Sequence, residues 1–193
     1  MSCRVALLKM HRDGHITLPP PERPANNHLK KPAYTLFTGA GYVFVDAGAI
    51  TIETADKQRG PLWNEYIDRY HYLGYTPLSG AQMRYLVKSD DQILALLGFS
   101  ASAWKVGPRD SYIWWDTETS KKNLHLVVSN ARFLILPWVK SKNPASRILS
   151  LTAKRISSDW RIRYGYEPVL LETFVEKERF AGTCYKARYS LTG

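Results

Sequence analysis

The stretch from residue 81 to residue 138 constrains the fold most. AQMRYLVKS and ILALLGFSASAW are apolar runs rich in β-branched and aromatic residues, joined by a Ser-Asp-Asp turn. NLHLVVSNARFLILPWV follows after a polar segment, as two apolar runs separated at Ser129-Asn130. Runs of this kind, bounded by turn residues, predict strands. Strands so close in sequence pair with one another, and their sheet needs a layer packed on its apolar face. The chain supplies one after Pro137. Over residues 145–161, Leu149, Ala153, Ile156 and Trp160 fall on one helical stripe, with Arg147, Lys154 and Arg161 nearly opposite. The patch Ser157-Ser158-Asp159 is where that helix would break. PVLLETFV, residues 168 to 175, reads as one further strand. The order strand, strand, strand, helix, strand predicts an α/β (α+β) domain with a mixed central sheet and flanking helices.

The flanks fit this plan. YTLFTGAGYVFVDAGAITIETADKQRG alternates around Gly39, Gly41 and Gly48 and predicts hairpin strands. PLWNEYIDRYHYLGY predicts a helix with Pro61 in its first turn, Trp63, Ile67 and Tyr70 on one face, and Gly74 as its stop. GPRDSYIWWDTETSKK reads as a polar loop. At the N-terminus, SCRVALLKMHRD predicts a short helix, HITL a strand, and PPPERPANNHLKKP an extended Pro-rich basic arm. A helix, a Gly turn and a short strand resemble part of a winged helix. The expected organisation is an appendage over 1–32 and the main domain over 33–193. No internal repeat appears.

Charge narrows the partners. Lys and Arg exceed Asp and Glu by 27 to 17, giving a net charge of +10. An excess of this size favours a polyanion, most simply nucleic acid and above all DNA. Much of it lies between residues 140 and 163, where Lys140, Lys142, Arg147, Lys154, Arg155, Arg161 and Arg163 face Asp159 alone. These are the candidate nucleic-acid-binding residues. No long apolar segment or signal-peptide pattern is present, so a soluble cytoplasmic protein is expected, without a membrane partner. Cys3 and Cys184 stand at opposite ends and the five His are scattered, so neither a disulfide framework nor a metal site is expected.

Glu172 poses a separate question, because PVLLETFV otherwise belongs in a core. A buried ionised carboxylate needs a partner, and Arg132, entering the apolar run RFLIL, is the expected one. On that reading, loss of Arg132 costs about 3–5 kcal/mol. Alternatively, burial raises a carboxyl pKa toward neutrality, so Glu172 with His71 could act as an acid/base pair, with Asn130, Arg132 and Asp110 beside them as candidate catalytic residues. Whether the chain is an enzyme stays open. It carries no nucleophile elbow, no Walker loop and no GxGxxG. Residues 140–145 stand where acetyltransferases of the GNAT class place a pyrophosphate cradle. Here Asn143 replaces the glycine and Pro144 removes a donor, so no cofactor is expected.

RYHYLGY, GAQMRYLV, LGFSASAWKVGPRD, NARFLILPWV with NPAS after it, and LLETFVEKERFAGTCYKA together resemble the DruA family of Druantia anti-phage defence systems. The N-terminal SCRVALLKMHRDGHITLPPP is similar too. The resemblance spans most of the chain. It implies bacterial antiviral defence, a nucleic-acid connection, other defence proteins as partners, and a link to mobile elements and transposase-like proteins. It maps the family's motifs onto His71, Gly74, Trp104, Arg109, Asp110, Asn130, Arg132, Glu172, Thr173, Gly182 and Tyr185. The strand order is also similar to the GNAT fold, so a degenerate acyltransferase is a further alternative to a nucleic-acid-binding component or a DNA- or nucleotide-processing enzyme. The chain ends in ARYSLTG, where family members continue, so a short or C-terminally truncated member is expected.

Overall fold

The computed structural model describes residues 43–44, 50–140, 143–176 and 183–186. All of them lie in Pro32–Gly193, one of two units into which the chain divides. The readings for residues 1–32, and most of the hairpin before Ile50, lie outside the described residues.

In chain order the strands are β1 (Val43–Phe44), β2 (Ile50–Thr54), β3 (Gln82–Ser89), β4 (Gln92–Ala101), β5 (Val127–Ile135), β6 (Val139–Lys140) and β7 (Leu170–Thr173). The helices are α1 (Gly60–Tyr70), α2 (Gly107–Ile113), α3 (Thr117–Asn123), α4 (Pro144–Tyr164) and α5 (Thr183–Lys186). The main sheet has the order β2-β3-β4-β5-β7; all neighbours are antiparallel except β5 and β7, which run parallel. A parallel neighbour needs a crossover, and α4 provides it. β1 pairs in parallel with β6 as a separate ribbon.

Strand alternation divides the core into two layers. On one face Tyr85, Val87, Leu97, Phe99 and Val128 pack with Ile148, Leu149, Ile156 and Trp160 of α4. On the other, Leu86, Leu96, Leu134 and Leu136 pack with Trp63, Tyr66 and Ile67 of α1. Each such side chain contributes roughly 1.5–3 kcal/mol when fully buried. Trp63 lies across Gly98, where a Cβ would come within 2.9 Å of its ring, and its indole N–H donates to the Leu97 carbonyl at 3.2 Å. The glycine is therefore a space requirement.

The predicted mixed sheet with flanking helices is what forms, and several local expectations are corrected. Ser129-Asn130 does not separate two strands: β5 is continuous and absorbs one extra residue, Ala131, because Gly98 pairs with Arg132 while Phe99 pairs with Asn130. The supposed polar loop folds into α2 and α3, which bury only Arg109 between them and so show no apolar stripe. Nor does Ser157-Ser158-Asp159 break α4, which runs on to Tyr164. Asp159 is held there by the Tyr85 hydroxyl at 3.0 Å and by Arg155 at 2.6 Å. Thr152 lies deeper in the buried stripe than Ala153. At the far end of α4, the Tyr164 hydroxyl donates to the Gln82 carbonyl and accepts from the Gln82 N–H, each at 2.8 Å. No helix among the described residues is long and apolar enough to cross a membrane.

Candidate functional site

β7 accompanies β5 only from Val127 to Asn130, where Thr173 is its last residue. Beyond that point, from Ala131 to Ile135, no described strand pairs with β5 on this side. A cavity of about 1010 Å³ opens where the strands part. Its walls include the end of α1 with His71 and Tyr72, the strand residues Asn130 and Arg132, and Thr173 and Tyr185 from across the gap. The bulge at Ala131 puts Asn130 and Arg132 on opposite faces of the sheet, and the cavity touches both. In a regular strand, residues two apart share a face. Here Asn130 pairs beside Phe99 on the α4 face, while Arg132 pairs beside Gly98 on the α1 face.

On the α1 side, the helix ends at Tyr70 and His71 is its extended cap, with its N–H donating to the Ile67 carbonyl at 3.0 Å. The imidazole Nδ1 accepts from the Leu73 N–H at 3.2 Å. The proton of the neutral ring therefore sits on Nε2. Burial first, and the Arg132 charge second, lower the His71 pKa to about 4. His71 is thus neutral at physiological pH, and the Tyr72 ring stacks on it at 4.8 Å. Arg132 donates Nη1 to the Ala131 carbonyl at 2.7 Å and Nη2 to the Thr76 hydroxyl, while its Nε is buried with no hydrogen-bond partner. On the α4 side, the Asn130 amide donates to the Tyr185 hydroxyl at 3.2 Å and its Oδ1 is buried without a partner.

Glu172 answers to a different arginine. The expected pair with Arg132 is not formed. Glu172 sits opposite Ser129 in the β5–β7 register, three residues short of Arg132 along β5, and the sequence cannot give that register. Its Oε1 accepts from the Ser102 hydroxyl, and its Oε2 lies 3.6 Å from Arg109 Nη1. That contact is an ion pair without a hydrogen bond, since Oε2 has no donor within reach. Arg109 is the centre of the cluster. Its guanidinium donates to Ser102 at 2.5 Å, to the Ala103 carbonyl at 2.8 Å, to the Trp104 carbonyl at 3.3 Å and to Asp110 at 2.9 Å. The other Asp110 oxygen accepts the Val106 N–H at 3.0 Å. The Arg109 side chain, with the Val106 N–H after it, holds the Asp110 carboxyl below the usual carboxylate range. The cluster pins the loop between β4 and α2 onto β7.

The structure thus divides the candidate catalytic residues. His71, Arg132 and Asn130 line the cleft, whereas Asp110 and Glu172 belong to the neighbouring cluster. His71 and Glu172 share no hydrogen bond or ion pair. Ser102, Thr76 and Tyr72 complete these two groups and carried no sequence signal, since Ser, Thr and Tyr are common on any surface. Among the described residues no three His, Cys, Asp or Glu side chains gather as metal ligands.

The basic residues divide as well. Arg147, Lys154 and Arg161 recur every seven residues along α4, on the side away from Ile148, Leu149, Ile156 and Trp160. Lys154 is exposed, and Arg161 pairs with Glu167 at 3.0 Å while its side chain stays 63% exposed. Arg155 turns inward to the Ile52 carbonyl and Asp159. Arg163 lies over the Tyr164 ring, and Lys140 is exposed on β6. Lys142 and Gly182 lie outside the described residues. Asn143 takes a left-handed conformation with φ of 54°, a geometry asparagine tolerates better than most residues, so it fills the glycine's conformational role at the start of α4.

No curated protein matches the chain. The family model described as Druantia protein DruA matches residues 47–191, which takes in the sheet, the cleft and the Arg109 cluster. With most of its length matched, the chain belongs to the DruA family, a component of Druantia anti-phage defence.

Proposed function

We propose that the chain is the nucleic-acid-binding component of its defence system and that the outer face of α4 carries the phosphate contacts. One observation supports this above the rest. Arg147, Lys154 and Arg161 form a single stripe on the face of α4 opposite its buried one. With a rise of about 1.5 Å per residue, the stripe spans about 21 Å, several phosphate spacings of one DNA strand. A rigid helix with a buried back holds such charges in register and so limits the entropy lost on binding. Arg155 takes no part, because its charge is already committed to Asp159 and the β2 backbone.

Binding to duplex and single-stranded DNA across a salt series tests this reading. Phosphate contacts make the logarithm of affinity fall linearly with the logarithm of salt, with a slope near −0.9 per contact on duplex DNA. Replacing Arg147, Lys154 and Arg161 together by Glu should flatten the slope by about 2.7. A wild-type slope near zero, or a slope unchanged in the triple variant, rules the helix out as the binding face.

A further inference from the structure

We infer that the cleft where β5 and β7 part binds a single nucleoside phosphate, with the phosphate on Arg132 and the base against the Tyr72 ring. The inference rests on the nucleic-acid reading for its choice of anion, but its residues are separate from the helical stripe.

Three features carry it. The first is a charge without compensation. Arg132 is partly buried and makes no ion pair with any described carboxylate, and its Nε lacks any acceptor. A guanidinium withdrawn from water in this way is stabilised by an anion, and its planar donor edge suits a phosphate. Among the described lining residues Glu176 carries the one carboxylate, and its side chain is exposed. The second is a set of unused polar atoms of both kinds. Asn130 is 91% buried, being 9% exposed, and its Oδ1 has no donor. The neutral His71 offers an Nε2–H that meets no acceptor among the described residues. An inorganic anion could use the second but not the first; a base edge has both donors and acceptors. The third is aromatic surface. Tyr72 is 43% exposed and backed by the His71 ring, and Phe174 on the opposite wall is 61% exposed. Such faces suit a base stacked edge-in, whatever its identity. The volume, about 1010 Å³, accommodates one nucleotide with water and excludes a duplex.

Equilibrium binding of adenosine 5′-monophosphate to the full chain, measured by calorimetry against inorganic phosphate, is the test. Adenosine monophosphate should bind more tightly than phosphate. Arg132→Gln should weaken it by about 10- to 100-fold, the loss of a charge-assisted contact. Tyr72→Ala, a change at an exposed ring, should weaken the nucleotide by about tenfold and leave phosphate unaffected. The triple α4 variant should bind the nucleotide as the wild type does. Competition by single strands with and without a 5′-phosphate then separates the sources. A phosphorylated strand that displaces the mononucleotide marks a strand-end site, and failure to displace it marks a free-nucleotide site; either result supports the cleft. No binding at millimolar nucleotide overturns the inference even if the salt series succeeds. Equal affinity for phosphate and nucleotide overturns the base contact. Nucleotide binding with a flat salt series leaves the cleft standing and removes the helical face.

Discussion

The polar groups around Arg109 and those around Arg132 lie close together along β4 and β5, and both fall within the residues that the family model matches. They differ in how completely they are satisfied. Arg109, with its side chain 4% exposed, has a hydrogen-bond acceptor at each of its guanidinium nitrogens and carboxylates at two points. Arg132 bonds only to a neighbouring carbonyl and a hydroxyl, and leaves one nitrogen orphaned. A buried arginine with every nitrogen satisfied fixes a fold; one with a nitrogen left over has room for something that the chain does not itself provide. Two arginines in adjacent loops and strands therefore have opposite assignments. The first staples the loop before α2 to β7, and the second faces a cavity.

Exchanging the two arginines for methionine is the strongest way to break that contrast. Arg109→Met strands the buried Glu172 carboxylate and should lower unfolding stability by about 3–5 kcal/mol. Arg132→Met should cost under about 1 kcal/mol, since no buried charge is left alone. Urea midpoints of the two variants decide it, and equal losses would erase the distinction. Next in size is the pH response of His71. Its folded pKa of about 4 lies below the unfolded value near 6.5, so the fold favours the neutral ring. Between those values the unfolded chain takes up a proton that the folded chain refuses. Stability from this group is complete above pH 6.5 and lost as pH falls toward 4, by roughly 3 kcal/mol in all. Thermal melts at pH 7 and pH 4.5 should therefore diverge less in His71→Gln than in the wild type. Somewhat smaller, Gly98→Val forces a side chain into the Trp63 ring and should cost about 1–3 kcal/mol, read from the same urea series. Least of all, Lys154→Glu should leave the urea midpoint in place and reduce the DNA salt slope by about 1.

The legible parts of the fold were those with strong periodicity or turn chemistry. β3, β4 and the turn between them follow from two apolar runs around Ser-Asp-Asp, and α4 from one apolar stripe backed by cations. What escaped depends on register. Nothing in NARF marks Ala131 as an extra residue, yet that residue decides which face Arg132 uses. Likewise the choice of Arg109 over Arg132 as the partner of Glu172 follows from where β7 stops, a property of two strands at once. α2 and α3 were missed because seven-residue helices that bury one side chain between them have no apolar pattern to read. His71, Asn130 and Arg132 were legible as polar residues in apolar company. Their gathering around one cavity was not, since it requires the reversal after α1 at Gly74, where φ is 61°.

The Tyr164 hydroxyl also bears on how the protein behaves when crowded. β2 stops at Thr54, opposite Tyr85, so on that side the backbone of Gln82 has no described strand beside it, while β4 pairs with it on the other. An open amide and carbonyl at that spot would invite a strand from another molecule. One phenol, arriving from the end of α4, occupies both groups. The helix that presents its charges outward thus also closes the sheet's margin, and a concentrated solution of the protein is guarded against strand exchange at Gln82 by a single oxygen atom.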